Sequence, residues 1–368
     1  MHTPATTTAR PAPAFAVTDR ALPALRRLFR HLSVAALAAG VAACGGGDGA
    51  APTPPPPPAP APTPVTLPVT LPAVLSVPDP VGYDANRLAA FQRLNEIRLA
   101  AGLGLLAQNT LLDQAAQAHA EWEVANDLYQ HDEAAGTPGF TGETLYERAR
   151  FQEYPIGPGA ETITAGYAPR QAVDSLVNVL YHRELLLDFS PVDVGVGWSD
   201  SRSQHVWEPM VLDFSRPNDN SPQAAGQTAQ TTIEGVLIWP SDGATDVLTH
   251  MGGETPNPVP SIDSTLLGTP ASLSVDYWKS IGVAEFSIKD GGTGMNVPVA
   301  VLTHDSDPNS FLSRNFVGAV PLQALSKNTV YRIHFSGTIT IAPGSDTQPY
   351  VRDWTFTTGD VDYPPVGE

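Results

Sequence analysis

The sequence predicts an α+β protein whose first folded region mixes helices with strands and whose second is all strand. Three observations carry this. Between Asp84 and about Phe214, apolar residues first recur every three or four positions and then alternate. Beyond a polar, breaker-rich stretch, "RPNDNSPQAAGQTAQT" (216–231), no helical period survives and short alternating runs return. A length of 368 residues allows each region a core of its own.

The chain opens on what reads as an export signal over 1–43. Arg20, Arg26, Arg27 and Arg30 precede the apolar run "LSVAALAAGVAAC", which is too short to cross a bilayer as a mature helix. The run ends in small residues before Cys44, the sole cysteine, and "VAAC" resembles the lipobox of bacterial lipoproteins; by that resemblance Cys44 becomes an acylated first residue. An acylated Cys44 leaves no thiol for a disulfide, a metal ligand or a nucleophile. Gly45 follows it rather than aspartate, which by analogy with enteric bacteria favours the outer membrane. Residues 44–80 read as a stalk, because 51–80 holds 13 of the 37 prolines and should run as extended polyproline II rather than packed structure.

Residues 81–215 make the first domain. "DANRLAAFQRLNEIRLAAG" places Leu88, Phe91, Leu94 and Ile97 or Arg98 on one helical stripe, with Asp84 as N-cap and Gly102 as stop. "TLLDQAAQAHAEWEVANDLY" does the same with Leu112, Ala115, Ala116, His119 and Trp122, with Thr110 and Asp113 at capping-box spacing. A third helix beginning near Pro169 stacks Val173, Leu176, Val177 and Leu180 on its buried side and puts Ser175, Asn178 and His182 on another face. "VDVGVGW" alternates as a strand does, and "HVWEPMVLDF" reads as its partner. In 232–361 the runs "GVLIWP", "ASLSVDYW", "AEFSIKD", "VPVAVLTH", "TVYRIHFSG" and "VRDWTFTT" predict an antiparallel β-sandwich, with Tyr331, Ile333 and Phe335 on one face and Arg332 and His334 on the other.

Charge narrows the partners. The formal net charge is −18, and since residues 1–43 hold five arginines and one aspartate, the remainder is more acidic still. Such a surface repels phosphate backbones and anionic headgroups, which argues against nucleic acid and against membrane contact beyond the lipid anchor.

Seven stretches, "LNEIRLAAGL" (94–103), "AAQAHA" (115–120), "YQH" (129–131), "ERARFQEY" (147–154), "GAETI" (159–163), "YHRELLL" (181–187) and "VGVGW" (194–198), resemble in order the cysteine-free bacterial branch of the CAP superfamily (cysteine-rich secretory proteins, antigen 5 and pathogenesis-related proteins). The resemblance implies an α-β-α sandwich with a shared cleft, which family members often line with two histidines and one or two glutamates that sometimes hold a divalent metal. Carried over by motif, the positions are His131, Glu161 and His182. The sequence departs from the family at Thr162, where asparagine is usual, and at Leu176, where tryptophan is common; the eukaryotic second glutamate has no match on its helix. Glu143 and Asn178 are outsiders for the same site, and Glu143 also reads as a first-turn glutamate at the positive end of its helix. The second region is similar to the bacterial Ig-like modules of surface proteins over "WPSDGATDV" (239–247), "PLQALSKNTVYRI" (321–333) and "WTFTTGD" (354–360).

Two imidazoles and a carboxylate can hold zinc or another divalent metal with an open water position, or can cycle one proton near neutral pH. His119, on an apolar stripe, reads instead as a buried histidine donating to a carbonyl. The acidic clusters "RPNDNS" and "HDSDPNS" lack calcium-loop spacing and read as solvated turns. No G-x-S-x-G, H-E-x-x-H, P-loop or C-x-x-C occurs, so an enzyme here would have to activate water. The function expected from these readings is a lipid-anchored protein of the bacterial cell envelope that binds a lipid, sterol or cell-wall fragment in its His/Glu cleft. Two alternatives stand beside it: a metal-assisted hydrolase using His131, Glu161 and His182, and a structural envelope protein.

Overall fold

The computed structural model describes residues 70–71, 74–218, 228–230, 235–276, 279–340 and 347–361; the export signal and Cys44 lie outside them. A two-residue strand, β1 (Thr70–Leu71), pairs in parallel with β6 (Thr228–Gln230). The stalk expected over 44–80 therefore ends early. Val74 accepts a hydrogen bond from Leu105 N, and Val77 packs on the first core, so the last of these residues are part of the fold.

Helix α1 (Ala85–Ala100) begins where the Asp84 side chain accepts from Arg87 N, and it buries Phe91, Leu94 and Ile97 as the spacing predicts. Arg98 is buried as well and donates to the carbonyls of Gly104, Leu186 and Asp188. After β2 (Ala107–Gln108), helix α2 (Thr110–Asn126) is capped by Asn109, which accepts from Leu111 N and Leu112 N, and not by the Thr110–Asp113 pair. Asp127 ends it in the left-handed conformation, φ 55°. Then follow α3 (Leu145–Phe151), β3 (Ile156–Thr164), α4 (Pro169–Asn178), α5 (Leu180–Leu186), β4 (Asp193–Trp198) and β5 (Met210–Pro217).

The four strands form one sheet in the order β2-β4-β5-β3. The alternation in β4 sets its two faces. Val194, Val196 and Trp198 join the core made with α1 and α4, whereas Gly195 and Gly197 let α2 lie directly on the strand. In β5, Met210, Leu212 and Phe214 share the first face and Val211 packs with Ala116, Ala120 and Ile163 on the second. Helices thus cover both faces, the α-β-α sandwich the sequence implied.

The single third helix expected from Pro169 is two helices. Val179 is extended, with ψ 164°, and breaks it. The carbonyls of Val177 and Asn178, released by the break, accept from the Arg183 guanidinium at 2.7 and 3.1 Å.

The second region is all β. Strands β7 (Val236–Trp239), β8 (Ala244–Val247), β9 (Ala271–Val275), β10 (Ser280–Asp290), β11 (Asn296–Val297), β12 (Val299–Leu302), β13 (Phe316–Pro321), β14 (Val330–Thr340) and β15 (Thr347–Thr358) build two sheets, ordered β11-β10-β14-β15-β8 and β12-β13-β9-β7. Leu273, Val317, Phe286, Ile288, Tyr331, Ile333, Phe335, Trp354 and Phe356 share the core between them. All six predicted runs are strands; β8 and β13 were not predicted. Pairing is antiparallel except that β15 meets β8 in parallel.

Among the described residues the two regions share a core. Val179, Leu180 and Tyr181 sit in a cluster with Met251, Leu267, Leu302, Leu312, Phe316 and Val320.

Candidate functional site

Register brings the chemistry together. Glu161 on β3 stands opposite Asp213 on β5, and both lie on the face that α2 and α3 cover. From α2 come His119 and Glu123, from the following loop His131 and Glu133, and from α3 Arg148.

Glu161 is the hub. One carboxylate oxygen meets His131 Nδ1 at 2.8 Å and the other accepts from Arg148 Nη2 at 2.5 Å. His119 Nε2 lies 3.9 Å from the first of these oxygens. Burial by itself would raise the Glu161 carboxyl, but His131, His119 and Arg148 outweigh it and hold the group well below the usual carboxylate range. Arg148 also donates to the carbonyls of His131 and Glu143, so the guanidinium ties the loop after α2 to the start of α3. His131 is the exposed end of the arrangement: its side chain is 51% exposed, against 5% for Glu161.

Beneath them His119 is fully buried. Its Nδ1 faces Glu133 Oε1 at 3.0 Å and its Nε2 faces the Gln130 carbonyl at 3.1 Å. Both partners are oxygen atoms, a carboxylate on one side and a backbone carbonyl on the other. Glu123 and Asp213 are also fully buried, and neither carboxyl meets a donor. Burial, and then the charge on Glu161, push both well above the ordinary carboxylate range.

A pH dependence follows. A carboxyl raised by folding contributes stability that is present below its unfolded value, 3.8 for Asp213, and lost as pH rises toward the folded one. Asparagine does not titrate. Asp213→Asn should therefore gain on the wild type by about 1 kcal/mol or more between pH 5 and pH 8 in urea unfolding; a variant that loses ground over that interval contradicts the raised Asp213 carboxyl.

His182 is paired outside this network. Its Nδ1 meets Glu254 Oε1 of the second region at 3.0 Å, and it makes no hydrogen bond to His131 or Glu161. The helix break at Val179 is the reason, since it turns the residues after 178 toward the sandwich. Asn178 is engaged there too, donating to the carbonyls of His250 and Met251. Glu143 is exposed and precedes the α3 N-cap, Thr144; it contributes its carbonyl to Arg148. Among the described residues no group of three or more His, Cys, Asp or Glu is placed to hold a metal ion. Asp307 of "HDSDPNS", read as part of a solvated turn, is buried and accepts from Tyr181 Oη, Asn309 N, Phe311 N and Leu312 N. The cluster "RPNDNS" lies mostly outside the described residues.

Arg148, Glu123, Glu133 and Asp213 were missed from sequence. Glu123 left a signal, standing four residues after His119 and next to Trp122 on an apolar stripe; Asp213 left one in the otherwise apolar "MVLDF".

A family model described as CAP, cysteine-rich secretory protein family, matches residues 91–212. The chain carries a CAP domain. Its α-β-α sandwich and the His131–Glu161 contact belong to that matched segment. The match stops short of the sandwich, whose likeness to Ig-like modules rests on its sequence alone. Among solved structures, an extracellular protein containing an SCP domain from Bacillus anthracis is similar at 26% identity, TM-score 0.31, over 36% of this chain and 40% of that one. The chain thus spans well under half of that relative. An outer surface protein from Borrelia burgdorferi is similar at 17% identity, TM-score 0.31, over 35% of this chain and 90% of that one. No curated protein matches.

Proposed function

We propose that the chain is a lipid-anchored protein of the bacterial cell envelope whose CAP domain binds a cell-wall glycan fragment and does no hydrolysis. One observation carries the choice: both oxygens of Glu161 are taken, by Arg148 and His131, while His182 is held elsewhere by Glu254. A carboxylate so neutralised is a poor base for water. The binding surface is the ring of His131 together with that of Tyr146, 39% exposed, whose hydroxyl donates to Gly159 O two residues from Glu161. Two exposed rings fixed to one strand suit stacking against a sugar face.

A glycan fits better than a lipid or sterol because the surroundings are open and polar. A groove of about 440 Å³ does exist, but Arg87, Asp113, Gln114, Gln117 and Glu121 line it and it includes neither ring. The anchor rests on Cys44 and the small residues of "VAAC" before it.

Fractionation tests both parts. The wild type should pellet with membranes and Cys44→Ala should not. The released Cys44→Ala protein should then sediment with purified cell-wall sacculi, and His131→Ala and Tyr146→Ala placed in it should each weaken that by about tenfold, or 1.4 kcal/mol. Equal sedimentation of all three, or binding to lipid vesicles in place of sacculi, would sink the glycan reading.

A further inference from the structure

We infer that the β-sandwich is a latch for the CAP domain: it caps and thereby forms helix α5, and it holds His182 for as long as it stays docked. This goes beyond the binding role and does not depend on it.

The helix cannot cap itself. Val179 stands at its N-cap with no side-chain acceptor, and seven residues are too few to be stable alone in water. The missing acceptor arrives from 74 residues away. The Glu254 carboxylate, fully shielded, accepts from Leu180 N at 2.9 Å, Tyr181 N at 2.8 Å and His182 N at 3.1 Å, besides its contact with the His182 ring.

Each of the five residues from 180 to 184 is bound to the sandwich. Leu180 fills the space a Cβ at Gly318 would occupy, and Tyr181 Oη donates to Asp307. Arg183 reaches Pro270 O and Ser272 Oγ, and Glu184 accepts from Ser313 N and Ser313 Oγ. If the sandwich withdraws, three backbone donors and two apolar side chains of α5 lose their partners together, whereas α1 loses the Ser241 bond to Ala100 O and the packing of Leu237 on its core. Replacing Glu254 alone removes only the cap of α5.

Hydrogen exchange on the full chain, read peptide by peptide, tests this with Glu254→Ala and Glu254→Gln. In Glu254→Ala the amides of α5 should exchange about tenfold faster or more, with α1, α2 and β4 unchanged; in Glu254→Gln, which keeps one carbonyl acceptor for three donors, the effect should be intermediate. Carbethoxylation of His182, 19% exposed in the docked chain, should speed up in both variants while that of His131 does not. Unchanged protection of α5, or a uniform rise across both regions, overturns the latch.

Discussion

Replacing Arg148 by methionine should destabilise the protein by about 3–5 kcal/mol, the cost of leaving a buried charge unpaired. Methionine keeps much of the volume but removes the donors to Glu161, His131 O and Glu143 O. Glu161, no more than 5% exposed, would be left with His131 and the more distant His119, and it already stands across the ladder from Asp213. Urea unfolding at pH 7 measures the loss, and adding Glu161→Gln should restore part of it, because the two positions are coupled. A loss under about 1 kcal/mol, with no rescue, would mean that the pair matters little to the fold.

Gly197→Ala should cost about 3 kcal/mol, for a reason of shape rather than charge. A Cβ there would stand 2.2 Å from Ala116 O and 2.3 Å from Ala116 C, so α2 or β4 must move. Backbone cannot swing aside as a side-chain tip can. Gly253→Ala is the control, since its nearest neighbour would be Thr265 Cγ2 at 3.9 Å, and it should stay within about 0.5 kcal/mol. Thermal unfolding of the two variants compares them directly, and equal midpoints would refute the close approach of helix and strand.

Much of the architecture was legible because periodicity reports burial. The stripes of α1 and α2, the alternation of β4 and the inward set Tyr331, Ile333 and Phe335 all follow from side chains that must leave water. The break at Val179 was not legible, because the run from Val173 to Leu180 keeps its apolar period straight through it. What stops the helix is a set of partners brought by the fold: Glu254 for the donors and Arg183 for the acceptors. For the same reason His182 was expected beside Asn178 and Ser175 in the cleft.

The site divides along similar lines. His131 and Glu161 were found by motif, and the structure puts them 2.8 Å apart. The groups that decide their chemistry, Arg148 and Asp213, required the register of β3 against β5 and the placing of α3, which no spacing in the sequence states. Histidine beside carboxylate is common to a metal site, a general base and a buried ion network. Their neighbours bear on which it is, and here the neighbours are a guanidinium and a buried acid whose carboxyl is pushed up by burial.

The shared core at the junction bears on how such a chain can change by recombination. Domains exchanged between genes keep working when each brings a complete interior and meets its neighbour through a polar seam. Here the seam has an apolar core laced with buried hydrogen bonds, with Leu180 and Tyr181 set among Met251, Leu267, Leu302 and Phe316. A foreign β module spliced after the CAP domain would have to supply that hollow and an acid in the place of Glu254. The two halves are therefore expected to be inherited and replaced as one piece.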